Sequence, residues 1–260
     1  MKEVLMCRPT AFDVVYAINP WMEVNNKPNK TLALKQWQNL YDTYQKLGVK
    51  INLIEQGENV PDMVFTANAG VVRENTFIAS NFRPVQRKLE EVLFQQWFKD
   101  NGYQLKTLDC YHSGEGDALE YNNKLYCGYG YRSSLKATQQ LAKLVDVDAV
   151  KLEIIDPFFY DLDLTFCPLG DRAVMYYPKA YSQQSQEILA ELPNAIELTH
   201  EQVANQFANS VYANGKLIIS GCDDKLKKQL HKFDIEPIII DVSEFRKAGG
   251  GIKCMTLKLA

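Results

Sequence analysis

One thiol in this sequence stands apart from the other five. Cys254 follows three consecutive glycines in AGGGIKCMTLKL and precedes an alternating apolar tail of Met255, Leu257 and Leu259. A cysteine beside glycine-rich backbone is a candidate nucleophile, because the thiolate is the attacking form and backbone without Cβ atoms admits a flat ligand. Four earlier stretches collect acids and amides: VPDMVFTANAG, HSGEGDAL, DPFFYDLDLTF and QFANSVYANG. They contribute Asp62, Asn68, Glu115, Asp117, Asp161, Asp163 and Asn209. Carboxylates around a thiol raise its pKa and weaken it as a nucleophile. The combination suits a cationic ligand whose charge offsets the acids. A guanidinium is planar, permanently charged, and offers donors in a fork that carboxylates match. Gly250 and its neighbours would then clear a slot for that flat group over the sulfur. The competing reading is plain: Asp and Asn are common turn residues, and a cysteine in a terminal strand is ordinarily core.

The elements that would carry these residues repeat. AGVVRENTFIAS, ALEYNNKLYCG, TFCPLGDRAVMYY and SVYANGKLIISG each read as strand, tight polar turn, strand. Their turns centre near Asn75, Asn123, Asp171 and Gly215, at spacings of 48, 48 and 44 residues. After each hairpin come a helical stretch and a further strand. Val85, Leu89, Leu93 and Trp97 recur every four residues and mark an apolar stripe on the first of these helices. Ser133 and Asp223 sit where N-caps belong. The N-terminal stretch, strand EVLMCRP, helix TLALKQWQNLYDTYQKLG and strand VKINLIE, makes a fifth unit. Such a period calls for a repeat architecture. Five ββαβ units of similar length predict an α/β fold closed as a five-bladed propeller, with each open strand edge covered by its neighbour. An ordinary open α/β sheet is the alternative. No linker divides the chain, so residues 1–260 are expected to form one domain.

Composition narrows the function. The 260 residues are 46% apolar and 23% charged with a net charge of −3, which gives no basic field for nucleic acid. No apolar run is long enough to span a bilayer. The opening MKEVLMCRPTAF lacks a basic region followed by an apolar core, so a cytoplasmic location is expected. The six cysteines form no CxxC pair and have irregular spacing, which argues against a zinc site and a disulfide framework. Neither a metal nor an organic cofactor is expected.

The ordered set CRPTAF, PDMVFTANAG, GEGDAL, GYGYRSS, DPFFYDLDLTFCPL, ANSVYANGKLIISG and AGGGIKCMTLKL resembles the guanidine-modifying enzymes of the pentein fold. That group includes dimethylarginine dimethylaminohydrolase, arginine deiminase, the amidinotransferases and the cyanobacterial arginine dihydrolases. The similarity runs from about Cys7 to Leu259, and FTANAG, with its amide at Asn68, looks nearest to the dihydrolase branch. The resemblance implies a five-bladed α/β propeller. It also implies a cysteine attack on the guanidinium carbon, giving a covalent amidino-thioether that water hydrolyses. Cys254 matches the nucleophile and Asp163 an acid that grips the guanidinium. Asp62, Asn68 and Asp117 fall in pocket-forming motifs, joined by Asn209 and Gly250. Arg83 and Arg132 match positions that hold the substrate carboxylate.

Two departures stand out. The family usually has histidine where Asp161 opens Asp161-Leu162-Asp163, and glutamate where Ser113 opens Ser113-Gly114-Glu115-Gly116-Asp117. The usual proton-handling pair is therefore missing. Asp161, crowded by Asp163 and desolvated, would have a raised pKa and could shuttle protons as a carboxylic acid. His112 and Glu115 lie next door as substitutes, whereas His200 and His231 read as surface residues. The implied activity is hydrolysis of an arginine-like guanidino group. The alternatives are a family member that binds such a ligand without turnover, and an amidinotransferase. An exposed propeller face could pair two copies as a homodimer.

Overall fold

Tight turns organise the chain. The computed structural model describes every residue from Met1 to Ala260. The N-terminal unit consists of β1 (Glu3–Cys7), α1 (Lys30–Lys46) and β2 (Lys50–Ile54). The second unit is β3 (Gly70–Arg73), β4 (Thr76–Ala79), α2 (Lys88–Asp100) and β5 (Gln104–Thr107). The third is β6 (Ala118–Tyr121), β7 (Lys124–Tyr129), α3 (Leu135–Val145) and β8 (Ala149–Glu153). The fourth is β9 (Phe166–Leu169), β10 (Ala173–Tyr176), α4 (Gln183–Ala190) and β11 (Ala195–Glu197). A short helix α5 (His200–Ala204) leads to the fifth: β12 (Val211–Ala213), β13 (Lys216–Ile219), α6 (Asp224–His231) and β14 (Glu236–Ile239). Helix α7 (Ser243–Arg246) and strand β15 (Leu257–Lys258) close the chain.

The strands form five three-stranded sheets. In the four internal units the hairpin is antiparallel and the third strand returns parallel to the second after its helix. The turns have the backbone that short hairpins need: Asn122 and Asn123 lie at φ 48° and 58°, Asn214 and Gly215 at 48° and 86°. The N-terminal unit has no hairpin of its own, and β15 supplies the missing strand. It runs antiparallel to β1 with Leu257 opposite Leu5, so the two chain ends share one sheet. The first strands of successive units lie side by side, β6 against β9, β9 against β12, and β15 against β3.

Two helix assignments differ from the sequence expectation. The stripe of Val85, Leu89, Leu93 and Trp97 is not the buried face of α2: Val85 is 76% and Leu89 60% exposed. The buried residues are Glu90, Phe94 and Phe98, with the Phe98 ring stacked on Phe77 at 3.6 Å. Two large aromatics and an interior ion pair outweigh a run of smaller aliphatics in setting the helix rotation. The N-cap of α3 is Ser134, whose side chain accepts from the Ala137 amide. Ser133 is buried instead, and its hydroxyl accepts from the Ser113 amide. Asp223 caps α6 as expected.

Short 3-10 turns precede three of the hairpins and carry the polar motifs: Pro61–Val64 and Thr66–Ala69 before β3, Gly114–Gly116 before β6, and Leu162–Leu164 before β9. The Thr66–Ala69, Gly114–Gly116 and Leu162–Leu164 turns pack in sequence, each against the next. This contact gathers residues far apart in the chain into one place. No helix is long and apolar enough to cross a membrane.

Candidate active site

Cys254 is held at both ends by one amide. Asn209 Nδ2 donates to Cys254 Sγ at 3.1 Å, and the Cys254 backbone N–H donates to Asn209 Oδ1 at 3.1 Å. The same Nδ2 also donates to the Asp163 carbonyl at 3.2 Å. The thiol donates to Asp163 Oδ2 at 3.4 Å. Cys254 is only 3% exposed, and burial followed by the Asp163 carboxylate pushes its pKa well above the usual thiol range. Burial and the neighbouring Asp161 likewise push Asp163 up to about 8. The resting pair is thus a thiol beside a carboxylic acid, and a bound cation would favour the thiolate.

A second layer surrounds this pair. Asn68 Nδ2 donates to Asp161 Oδ2, to the Ser113 carbonyl and to Ser113 Oγ, each at 3.0 Å. Asp117 Oδ1 accepts from the Leu162 amide at 2.9 Å. Asp62 Oδ2 accepts from the Tyr16 hydroxyl at 3.0 Å. Each of Asp62, Asp117, Asp161 and Asp163 keeps one buried carboxylate oxygen without a protein partner. Burial raises all four pKa values; Arg132 and Asn68 partly offset it at Asp161, and Arg87 and Tyr16 at Asp62. Buried orphan acceptors are costly unless a donor-rich ligand arrives, and a guanidinium and an ammonium carry donors only.

The cavity itself is lined by Asp62, Asn68, Arg87, Arg132, Gly250 and Cys254, and roofed by Ile18, Asn19 and Met22. Its free volume is 10 Å³, room for about one water. The roof is tied down by Tyr16 on Asp62, by Asn19 Nδ2 donating to the Ala248 carbonyl at 3.0 Å, and by Trp21 Nε1 donating to the Phe158 carbonyl at 2.7 Å. Arg132 lies 4.6 Å over the Tyr160 ring, donates through Nη2 to the Ile18 carbonyl at 3.3 Å, and keeps Nη1 free. A larger groove of 260 Å³ lined by Phe166, Tyr212 and Lys253 opens elsewhere, but it holds neither Cys254 nor the orphan carboxylates.

The structure brings together Cys254, Asp161, Asp163, Asp62, Asn68, Asp117, Arg132 and Asn209. It leaves Arg83 outside, exposed, donating to the Gly130 and Tyr131 carbonyls and sharing an outer vestibule with Arg132. Glu115 is engaged elsewhere, accepting from Lys253 Nζ at 2.7 Å and from the Lys258 amide. His112 is buried with both ring nitrogens unpartnered, and burial drives its pKa down to about 3. Gly250 lines the cavity beside Cys254, but the Cβ space at all three glycines is taken by neighbouring side chains. A Cβ at Gly249 would lie 2.6 Å from the Tyr160 hydroxyl, one at Gly250 would strike the Phe65 ring, and one at Gly251 would lie 2.8 Å from Asn209 Oδ1 and Gln206 Oε1. The space they provide is filled by protein, which sets Cys254 tightly against its clamp. Sequence reasoning missed Arg87, Glu90 and Tyr16. Arg87 and Glu90 read as a surface pair at a helix start, and no local signal marks Tyr16.

A cysteine clamped beside a carboxyl group, under carboxylates lacking partners and inside repeated ββαβ units, defines the guanidine-modifying pentein type. The chain belongs to the family described as N,N dimethylarginine dimethylhydrolase, eukaryotic, which it matches over residues 9–260. It is 37% identical over 263 residues to the bifunctional arginine dihydrolase/ornithine cyclodeaminase AgrE of Nostoc sp., covering 98% of this chain and 37% of that protein. It is 34% identical to the N(G),N(G)-dimethylarginine dimethylaminohydrolase of Mycobacterium tuberculosis, over 99% of this chain and 86% of that one. The chain therefore spans 37% of the length of AgrE, a much longer protein. Among solved structures, the substrate-bound N-terminal domain of ArgZ, a cyanobacterial arginine dihydrolase, superposes with a TM-score of 0.95 at 34% identity, covering 99% of this chain and 98% of that one.

Proposed function

We propose that this chain is a cysteine-dependent hydrolase acting on the guanidino group of arginine or an arginine-like substrate. The observation that carries the reading is Cys254 Sγ, 3.4 Å from Asp163 Oδ2 and bonded by Asn209, at a cavity that also meets Asp62, Asn68 and Arg132. A guanidinium docks on Asp163 with Asp117 nearby, and Arg132 receives the substrate carboxylate. The charge of the cation draws Asp163 to its carboxylate form, its proton leaving to solvent, and the thiol then passes its own proton to the carboxylates. The thiolate forms a bond to the central guanidinium carbon. The C–N bond to one terminal nitrogen breaks, and ammonia leaves with a proton from Asp161 acting as the carboxylic acid. Water adds to the amidino-thioether, the C–S bond breaks, and a ureido product leaves. The same steps on the ureido group would release a second ammonia and leave a carbamic acid on the side-chain nitrogen, whose C–N bond then breaks by decarboxylation to give ornithine and carbon dioxide. A structure of the ArgZ N-terminal domain covalently bound to a reaction intermediate supports such a route.

The contacts between first strands of successive units support a five-bladed propeller, and the shared sheet of β1 and β15 supports a single domain over residues 1–260. Six free cysteines support a reducing, cytoplasmic setting. The test is incubation with arginine and methylated arginines, reading citrulline, ornithine and ammonia. Turnover that Cys254→Ser abolishes is expected. A second reading, binding without chemistry, is favoured by Asp161 and Ser113 at the positions of the family's usual histidine and glutamate. Ligand-dependent thermal stabilisation with no product from any of these substrates would establish it.

A further inference from the structure

Lys253 is the residue before the thiol, yet its side chain turns away from the substrate cavity. With Glu115 it lines the 260 Å³ groove, and neither residue lines the cavity that holds Cys254. The ammonium is held in place. Nζ donates to Glu115 Oε2 at 2.7 Å and to the Thr256 carbonyl at 2.9 Å, and the Lys253 and Glu115 side chains are only 12% and 10% exposed. Glu115 Oε2 also accepts from the Lys258 amide at 3.0 Å, and the Lys253 amide donates to the Asn209 carbonyl at 3.3 Å. The Gly114–Gly116 turn that carries Glu115 packs against the Leu162–Leu164 turn that carries Asp163. A positive charge is therefore fixed behind the Cys254–Asp163 pair, on the side away from the cavity.

The other titratable groups that face Asp163 are Asp161 and Tyr160 on its own segment, Asp117 ahead of β6, Cys167 on β9, Tyr181 after β10, and Cys254. All of them are neutral or negative. Arg132 acts on Asp161 and Tyr160. At the Asp163 carboxyl, Lys253 is the cation that works against burial and Asp161. A neighbouring positive charge favours a carboxylate over its acid. We propose that Lys253 is a positioning residue that acts through Asp163: tethered by Glu115, its charge sets the pH at which Asp163 becomes the carboxylate that a guanidinium needs. The proposal rests on the role given to Asp163 above. A guanidinium must displace the Asp163 proton, so below the Asp163 midpoint its affinity falls about tenfold per pH unit.

The test follows the Asp163 carboxyl by 13C NMR in aspartate-labelled protein, with Asp163→Asn to identify its signal. Wild type should titrate at about 8. Lys253→Met removes the cation and should move the midpoint up by about one pH unit. Glu115→Gln keeps a tether but removes the charge that offsets the ammonium, so it should move the midpoint down. Lys253→Arg, which keeps the charge, should stay near the wild-type value. A brace that only held the turn would be loosened by both Lys253→Met and Glu115→Gln, and both would move the midpoint the same way. Shifts in the same direction, or no shift in either variant, would overturn the proposal. Should Lys253→Met not fold, Glu115→Gln decides by itself: a midpoint unmoved or raised would overturn the proposal. Calorimetry of arginine binding to Cys254→Ser protein reads the consequence without turnover. The pH below which affinity declines should move with the Asp163 midpoint in each variant, and a pH dependence that ignores both substitutions would overturn the proposal. Protein that binds no arginine would refute the guanidino reading alone, and the carboxyl titration would still decide the role of Lys253.

Discussion

Replacing Asn209 with alanine removes three bonds at once: the acceptor for the Cys254 amide, the donor to its sulfur and the donor to the Asp163 carbonyl. Asn209 is fully buried, so no water replaces them. Leaving a buried N–H and C=O unpaired costs about 1–3 kcal/mol each, or roughly 2–6 kcal/mol in all. At about 2–4 °C per kcal/mol for a domain of this size, melting should fall by roughly 5–20 °C. The effect on the sulfur is separate. A hydrogen bond to a charged group is worth about 1.5–3 kcal/mol, so its loss should raise the thiol pKa by about 1–2 units. At a fixed pH below that pKa, alkylation of Cys254 should slow roughly 10- to 100-fold. The assay is iodoacetamide labelling read by mass at Cys254, beside thermal melts of the same samples. Asn209→Asp separates the two effects, because it keeps the acceptor for the Cys254 amide and loses the donor to sulfur. It should melt closer to wild type and yet label as slowly as Asn209→Ala. Labelling within twofold of wild type in both variants would refute the claim that Asn209 tunes the thiol.

Other outcomes follow from the same geometry. Asp163 is raised from the ordinary carboxylate range to about 8. Its native form thus holds a proton that the unfolded chain loses first, and stability should fall as pH rises from about 4 to about 8. Melts across that range should show the decline, and Asp163→Asn should flatten it. Tyr16→Phe and Trp21→Ala each free one tie of the cavity roof, so each should speed Cys254 labelling by about two- to tenfold, and Tyr16→Phe, which strips buried Asp62 of a donor, should also cost about 1–3 kcal/mol of stability. Asp161→His combined with Ser113→Glu should raise labelling near neutral pH by supplying an imidazolium beside the thiol, and an unchanged rate would mean that Asp161 does not face it. Gly251→Ala should lower melting by an amount equivalent to about 1–3 kcal/mol, because its Cβ meets Asn209 and Gln206 at 2.8 Å.

Much of the fold is legible because hairpin chemistry is local. Asn-Asn and Asn-Gly turns announce themselves, and a regular period implies equal units. The partner of β1 was harder to see, since β15 lies at the other end of the chain and only pairing joins them. The rotation of α2 was misread because a regular aliphatic stripe resembles a core face, while the actual face mixes Phe94 and Phe98 with a charged Glu90. The acids and amides of the site could be found because they cluster beside turn motifs. Arg87 could not, since burying an arginine three residues from its glutamate looks, in one dimension, like a solvated helix pair. Arg83 drew attention only by resemblance, and the folded chain points it at two backbone carbonyls.

The central claim is that Cys254 bonds to a guanidino carbon. Intact-mass analysis of protein quenched in acid during incubation with arginine tests it most directly. The account predicts a gain equal to arginine less ammonia, located at Cys254 and absent from Cys254→Ser. Product formation that persists in Cys254→Ser, or an adduct on another residue, would contradict it.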